Sequence, residues 1–111
     1  MDAFLEGNDR RSHERFDSRA MVQYFLKQHS LRYMDCDLLD VSRSGMGVLL
    51  PGSEDVAEGM EVSLEITMPG SLEQQTVRGT IQWVQRGENI RAGIRFENLL
   101  APEAMARLLA P

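Results

Sequence analysis

At 111 residues the chain has room for one compact domain with a real core, and none for a second. With 42% hydrophobic and 26% charged residues it is a folding sequence, not one too polar to collapse. A formal net charge of -5 excludes a surface built as a whole to lie along DNA, so any anion must be met by a local cluster of arginine and lysine.

Cys36 is the single cysteine, which rules out an intrachain disulfide and fits a reducing compartment. The acidic start, Met1 to Glu6, lacks the basic head and apolar run of a signal peptide, and no stretch approaches membrane-spanning length. The expectation is a soluble, cytoplasmic protein without membrane insertion.

In chain order, residues 1–19 form a charge-dense arm without apolar periodicity, expected to be flexible until something holds it. A barrel domain is expected over 20–111. Ala20 to Leu26 reads as a strand, Lys27 to Ser30 as a turn, and Leu31 to Val41 as a longer strand whose imperfect alternation predicts a bulge. Ser42 to Gly45 is a turn, and Met46 to Leu50 the next strand.

Pro51-Gly52-Ser53 breaks that strand. Val62, Leu64, Ile66 and Met68 then alternate with Glu61, Ser63, Glu65 and Thr67, the clearest period of two in the chain. Beyond Pro69-Gly70, Val77, Ile81 and Trp83 share one face, with Arg78, Thr80 and Gln82 on the other. Trp83 is therefore expected to anchor the core, although a strand-end position would let it stack on a bound base instead. After the turn from Arg86 to Asn89, Ile90, Ala92, Ile94 and Phe96 alternate with Arg91, Gly93, Arg95 and Glu97. Gly79 and Gly93 are expected to mark close packing or bending of strands. The tail changes period: Pro102 opens a short helix over about 102–109, with Met105, Leu108 and Leu109 on one face. Five to seven antiparallel strands and one helix predict an all-β barrel with a C-terminal helix.

Two local patterns carry chemistry. Arg10-Arg11-Ser12-His13-Glu14-Arg15-Phe16 contains Arg-x-x-x-Arg between Arg11 and Arg15, and Asp40-Val41-Ser42-Arg43-Ser44-Gly45 is an Asp-x-Ser-x-x-Gly at a strand-to-turn junction. In this order, ahead of strands such as Gly79 to Val84 and Gly93 to Phe96, they closely resemble the PilZ domain family from Arg10 to about Leu109. The resemblance implies a six-stranded antiparallel barrel that binds cyclic di-GMP through Arg11, Arg15, Asp40, Ser42 and Gly45. An arginine just before the motif, here Arg10, implies two mutually stacked ligands in place of one. Cyclic di-GMP is then the ligand, with no separate cofactor.

The residue chemistry agrees with this implication. A guanidinium grips phosphate bidentately, donates to guanine O6 and N7, or stacks on the ring. The Asp40 carboxylate can accept from guanine N1-H and the N2 amine, a donor pair that adenine lacks. In an extended segment Ser42 faces the same side as Asp40, and its hydroxyl can donate to the ligand. Gly45 would permit a positive φ and close backbone approach. Taken alone, each pattern has an ordinary explanation: a solvated arm, and a turn in which Asp40 and Ser42 bond nearby backbone N–H groups.

Other classes find little support. His13, His29, Cys36, Asp35 and Asp37 lack the spacing of a metal site, and Cys36 on a strand points away from both aspartates. No nucleophile has a convincing base partner, so an enzyme is not expected. Seven aromatic residues and an acidic balance disfavour an RNA- or DNA-binding barrel. The expectation is a receptor that acts on an unidentified downstream protein in trans, its arm ordering around the ligand. The alternative is a barrel of the same family that recognises proteins without binding the nucleotide.

Overall fold

A computed structural model describes residues 16–109. The six strands are β1 (Met21–Leu26), β2 (Met34–Val41), β3 (Gly45–Leu50), β4 (Glu61–Thr67), β5 (Gln74–Arg86) and β6 (Ile90–Phe96), followed by helix α1 (Pro102–Leu108). Every pairing is antiparallel, and the strands close into a barrel in the order β1-β2-β3-β6-β5-β4. Closure removes both sheet edges.

The period-two pattern explains why the barrel closes in this register. Val22, Tyr24 and Leu26 of β1 pair with Ile66, Leu64 and Val62 of β4, so both strands turn their apolar sets inward together. Met46, Val48 and Leu50 meet Ile94, Ala92 and Ile90 across the β3–β6 seam in the same way. Between β3 and β4 the loop is held from two sides. Tyr24, buried in the barrel, donates its phenol to Glu54, and Arg86 donates to the carbonyl of the fully buried Val56. Burial and the Glu54 bond both push the Tyr24 pKa well above its ordinary value.

At α1 the missing amide of Pro102 costs nothing in the first turn, and Ala104, Met105 and Leu108 face the core. Leu109 lies past the helix and is 39% exposed, so the apolar stripe is one residue shorter than expected. Ser18 donates its hydroxyl to the Leu108 carbonyl at 2.6 Å, and Arg107 pairs with Glu73 in the β4–β5 turn. No helix among the described residues is long and apolar enough to cross a membrane.

Two expectations are corrected. Strand β2 begins at Met34 rather than Leu31, because Leu31 is 99% exposed and Gln28 takes a left-handed φ of 71° in a longer connection. Gly45 does not adopt a positive φ: it is the first residue of β3, and Gly59 and Gly70 are the described glycines in that region.

Candidate functional site

The site is built by two β-bulges. On β2, Met34, Cys36 and Leu38 pack against the core, so strict alternation would also turn Asp40 inward. A register shift between Leu38 and Asp40 leaves Leu39 as the extra residue, so Val41 takes the inward position and Asp40 the outer face. The same event occurs on β5. Val77 and Ile81 are buried, and a shift between Ile81 and Trp83 sends Val84 toward the core and Trp83 outward. Trp83 is half-buried and is not part of the core cluster, which corrects the expectation of a core anchor.

These two displaced side chains end one lateral row. Asp40 of β2 pairs with Gly47 of β3, Gly47 with Gly93 of β6, and Gly93 with Trp83 of β5. Three strand spacings separate the ends, about 14 Å. Between a carboxylate and an indole the barrel surface thus carries two residues with no side chain. Together they form a glycine shelf whose backbone is buried. Gly93 was expected only to ease strand packing, and Gly47 carried no expectation at all. Their signal lay in two glycines at outward positions on adjacent strands, and it becomes readable only once the pairing is known.

The turn after β2 is internally bonded. Asp40 accepts the Gly47 N–H at 3.2 Å through Oδ1. Ser42 is fully buried: its Oγ accepts the Ser44 N–H at 3.2 Å and lies 3.1 Å from the Ser44 hydroxyl, while its N–H donates to Gly45 at 2.8 Å. Asp40 and Ser42 therefore make the local turn bonds that their residue types favour. The bulge leaves Asp40 half-buried on the outer face, and Ser42 beyond it is fully buried. Arg43 joins this turn to the segment before α1, donating from Nε to the Leu100 carbonyl at 2.8 Å while its own carbonyl accepts the Leu100 N–H at 2.8 Å.

Arg10, Arg11 and Arg15 lie outside the described residues. The residue after them does not. Phe16 forms a two-bond antiparallel bridge with Val41, each N–H meeting the other carbonyl at 2.8 Å. The described chain therefore joins the barrel beside Val41, between Asp40 and Ser42. This anchor was missed at sequence level, because a single bridge leaves no periodic trace.

Cys36 stands apart from the row. Its thiol donates weakly to the Val22 carbonyl at 3.6 Å, while Asp35 and Asp37 project to solvent. Burial first, then the charges of Asp37 and Asp35, push its pKa up to about 12. Because the thiolate is the nucleophile, iodoacetamide at pH 8 should modify native Cys36 far more slowly than the urea-unfolded chain. Equal rates would mean that the thiol is not held in this environment.

The chain is thus a closed six-stranded barrel in which the bulged Asp40 is the first residue of the Asp-x-Ser-x-x-Gly turn. The family model for the PilZ domain matches residues 9–110, so the chain belongs to the PilZ domain family. Solved structures share its fold, two of them as follows. The Bacillus subtilis inhibitor of motility (MotI/DgrA) matches with a TM-score of 0.69 and 17% identity over 89% of this chain. The chain spans about half of that protein, 48% of its length. The PilZ domain of YcgR from Escherichia coli, a structure with c-di-GMP, matches with a TM-score of 0.66 and 20% identity, covering 89% of this chain and 86% of that one. No curated protein sequence matches the chain.

Proposed function

We propose that this chain is a cyclic di-GMP receptor that signals through a protein partner and has no chemistry of its own. One observation carries the reading. The Phe16–Val41 bridge fixes the residue that follows the Arg-x-x-x-Arg motif in sequence next to Asp40 and Ser42, which supports a site that joins the arginines to that turn. The PilZ membership and the c-di-GMP in the YcgR structure support the choice of ligand.

In this reading a guanine lies over the Gly47–Gly93 shelf, its N1-H and N2 edge toward Asp40 and its ring toward the Trp83 indole. Arg11 and Arg15 close over the phosphates and the Hoogsteen edges, and Arg10 supplies donors to a second, intercalated ligand. Gly45 keeps the approach to the turn free of a side chain. Ser42 acts first by shaping the turn, and its hydroxyl reaches the ligand only if released from Ser44. Residues 1–19 serve as the ligand-gripping arm and 20–111 as the barrel. Ligand binding orders the arm, and the composite of arm and ligand is the surface a partner reads.

Calorimetric titration with cyclic di-GMP, cyclic di-AMP and GTP tests this. Cyclic di-GMP should bind and the adenine analogue should bind far more weakly. Asp40→Ala should erase about 1–3 kcal/mol of that discrimination. No cyclic di-GMP binding at high micromolar concentration would instead favour a PilZ barrel that recognises proteins alone. If Asp40→Ala weakened every nucleotide equally, its base-reading role would fall.

A further inference from the structure

We propose that Arg95 is a phosphate-binding residue of this site, a role that rests on the cyclic di-GMP reading above. Strand β6 carries two exposed arginines that flank Gly93 symmetrically on the outer face, Arg91 two residues before it and Arg95 two residues after. Each lies about 7 Å from Gly93 along the strand, within reach of a ligand resting on the shelf. Sequence alone does not separate them. Their cross-strand neighbours do.

Arg91 pairs with Leu49, and Leu49 with Asp37, whose side chain is exposed; the exposed Asp35 stands two residues further along the same face of β2. That side of the shelf is acidic. Arg95 pairs with Gly45 on one side and Thr80 on the other, a residue without a side chain and a hydroxyl. No described carboxylate lies within ion-pair distance of Arg95. The acidic residue nearest along that row is Glu61, opposite Thr80, and it is paired with Lys27 at 3.3 Å. Glu97, exposed two residues further along the chain, is the other carboxylate near Arg95 and makes no ion pair with it, so the Arg95 guanidinium can swing over Gly45 toward the shelf.

A guanine whose edge meets Asp40 must carry its phosphate to one side of the row, toward Leu49 or toward Gly45. On the first side the anion would meet Arg91 with Asp37 and Asp35 across from it, and on the second Arg95 and the turn backbone, with Glu97 further along the chain. The sign of the local charge selects the second. Arg95 thus sets the direction in which the ligand lies, as well as adding a donor.

The test compares Arg95→Gln with Arg91→Gln in cyclic di-GMP titrations at low and high salt, with thermal midpoints recorded to show that both variants fold. Arg95→Gln should weaken binding about ten- to hundredfold, the value of one charge-assisted contact. Its deficit should shrink at high salt, because screening weakens that contact in the wild type. Arg91→Gln should stay within about twofold of wild type, as ordinary surface substitutions do. Arg95→Lys should fall between wild type and Arg95→Gln, since it keeps the charge and loses the bidentate fork. Wild-type binding with an unaffected Arg95→Gln, or equal losses in the two glutamine variants, would overturn this assignment alone. Absence of binding by the wild type would overturn the receptor reading, and the role of Arg95 with it.

Discussion

Replacing Arg15 with alanine is expected to weaken cyclic di-GMP binding at least about a hundredfold while leaving the melting temperature of the free protein unchanged. Two charge-assisted hydrogen bonds are worth about 3–6 kcal/mol, and a hundredfold loss corresponds to about 2.7 kcal/mol. Folding should not notice the change, because the anchor next to it is made by the Phe16 backbone. Arg11→Ala should behave similarly, whereas Arg19→Ala, an exposed arginine beyond the anchor, should bind as wild type. In the same titrations Arg10→Leu should lower the ligand-to-protein ratio from two to one with binding retained. Unchanged affinity in Arg15→Ala would remove the arm from the site. A ratio of one in the wild type would remove only the second ligand.

A large loss of stability should come from Gly79→Ala. A Cβ there would sit 2.5 Å from the Arg95 carbonyl oxygen and 2.8 Å from Ile94 Cγ2, inside the contact distance of both. The first obstacle is the backbone of β6, which cannot move aside as a side-chain tip can. Overpacking of this kind costs about 3 kcal/mol, or a fall in melting temperature of roughly 12–20 °C for a domain of this size. Gly87→Ala is the matched control, since its Cβ would meet only the Asn89 carbonyl at 3.5 Å, an ordinary contact. Equal melting temperatures for the two variants would show that β5 and β6 do not approach as described.

Much of the barrel was legible because one face of each strand is buried. The alternation from Val62 to Met68 was read correctly, since all four inward residues are nearly inaccessible. The irregularity in β2 foretold the bulge, but not its position at Leu39. In β5 the alternation of Val77, Ile81 and Trp83 gave the wrong face for the indole. One extra residue inverts the parity of everything after it, and Gln82 carries no local mark of being that residue. Asp40 was singled out through its motif, whereas what turns it outward is visible only in the pairing with β3. The shelf of Gly47 and Gly93 escaped for a related reason. Its two members lie 46 positions apart in the chain (93 − 47) and become neighbours only through the β3–β6 register.

The short bridge between Phe16 and Val41 also bears on how much messenger the protein would need. Arginines arriving on a separate molecule would have to be present at a concentration comparable to their weak affinity for the ligand. If the arginines one to six positions upstream of the anchor bind the ligand as proposed, they would be supplied at an effective concentration of the order of millimolar, whatever the amount of protein in the cell. That concentration falls roughly as the −3/2 power of linker length once the span is reached. The distance from anchor to arginine would then act as a threshold setting, separate from the contacts themselves. A chain with the same side chains and a longer link would answer the same signal, only later in its rise.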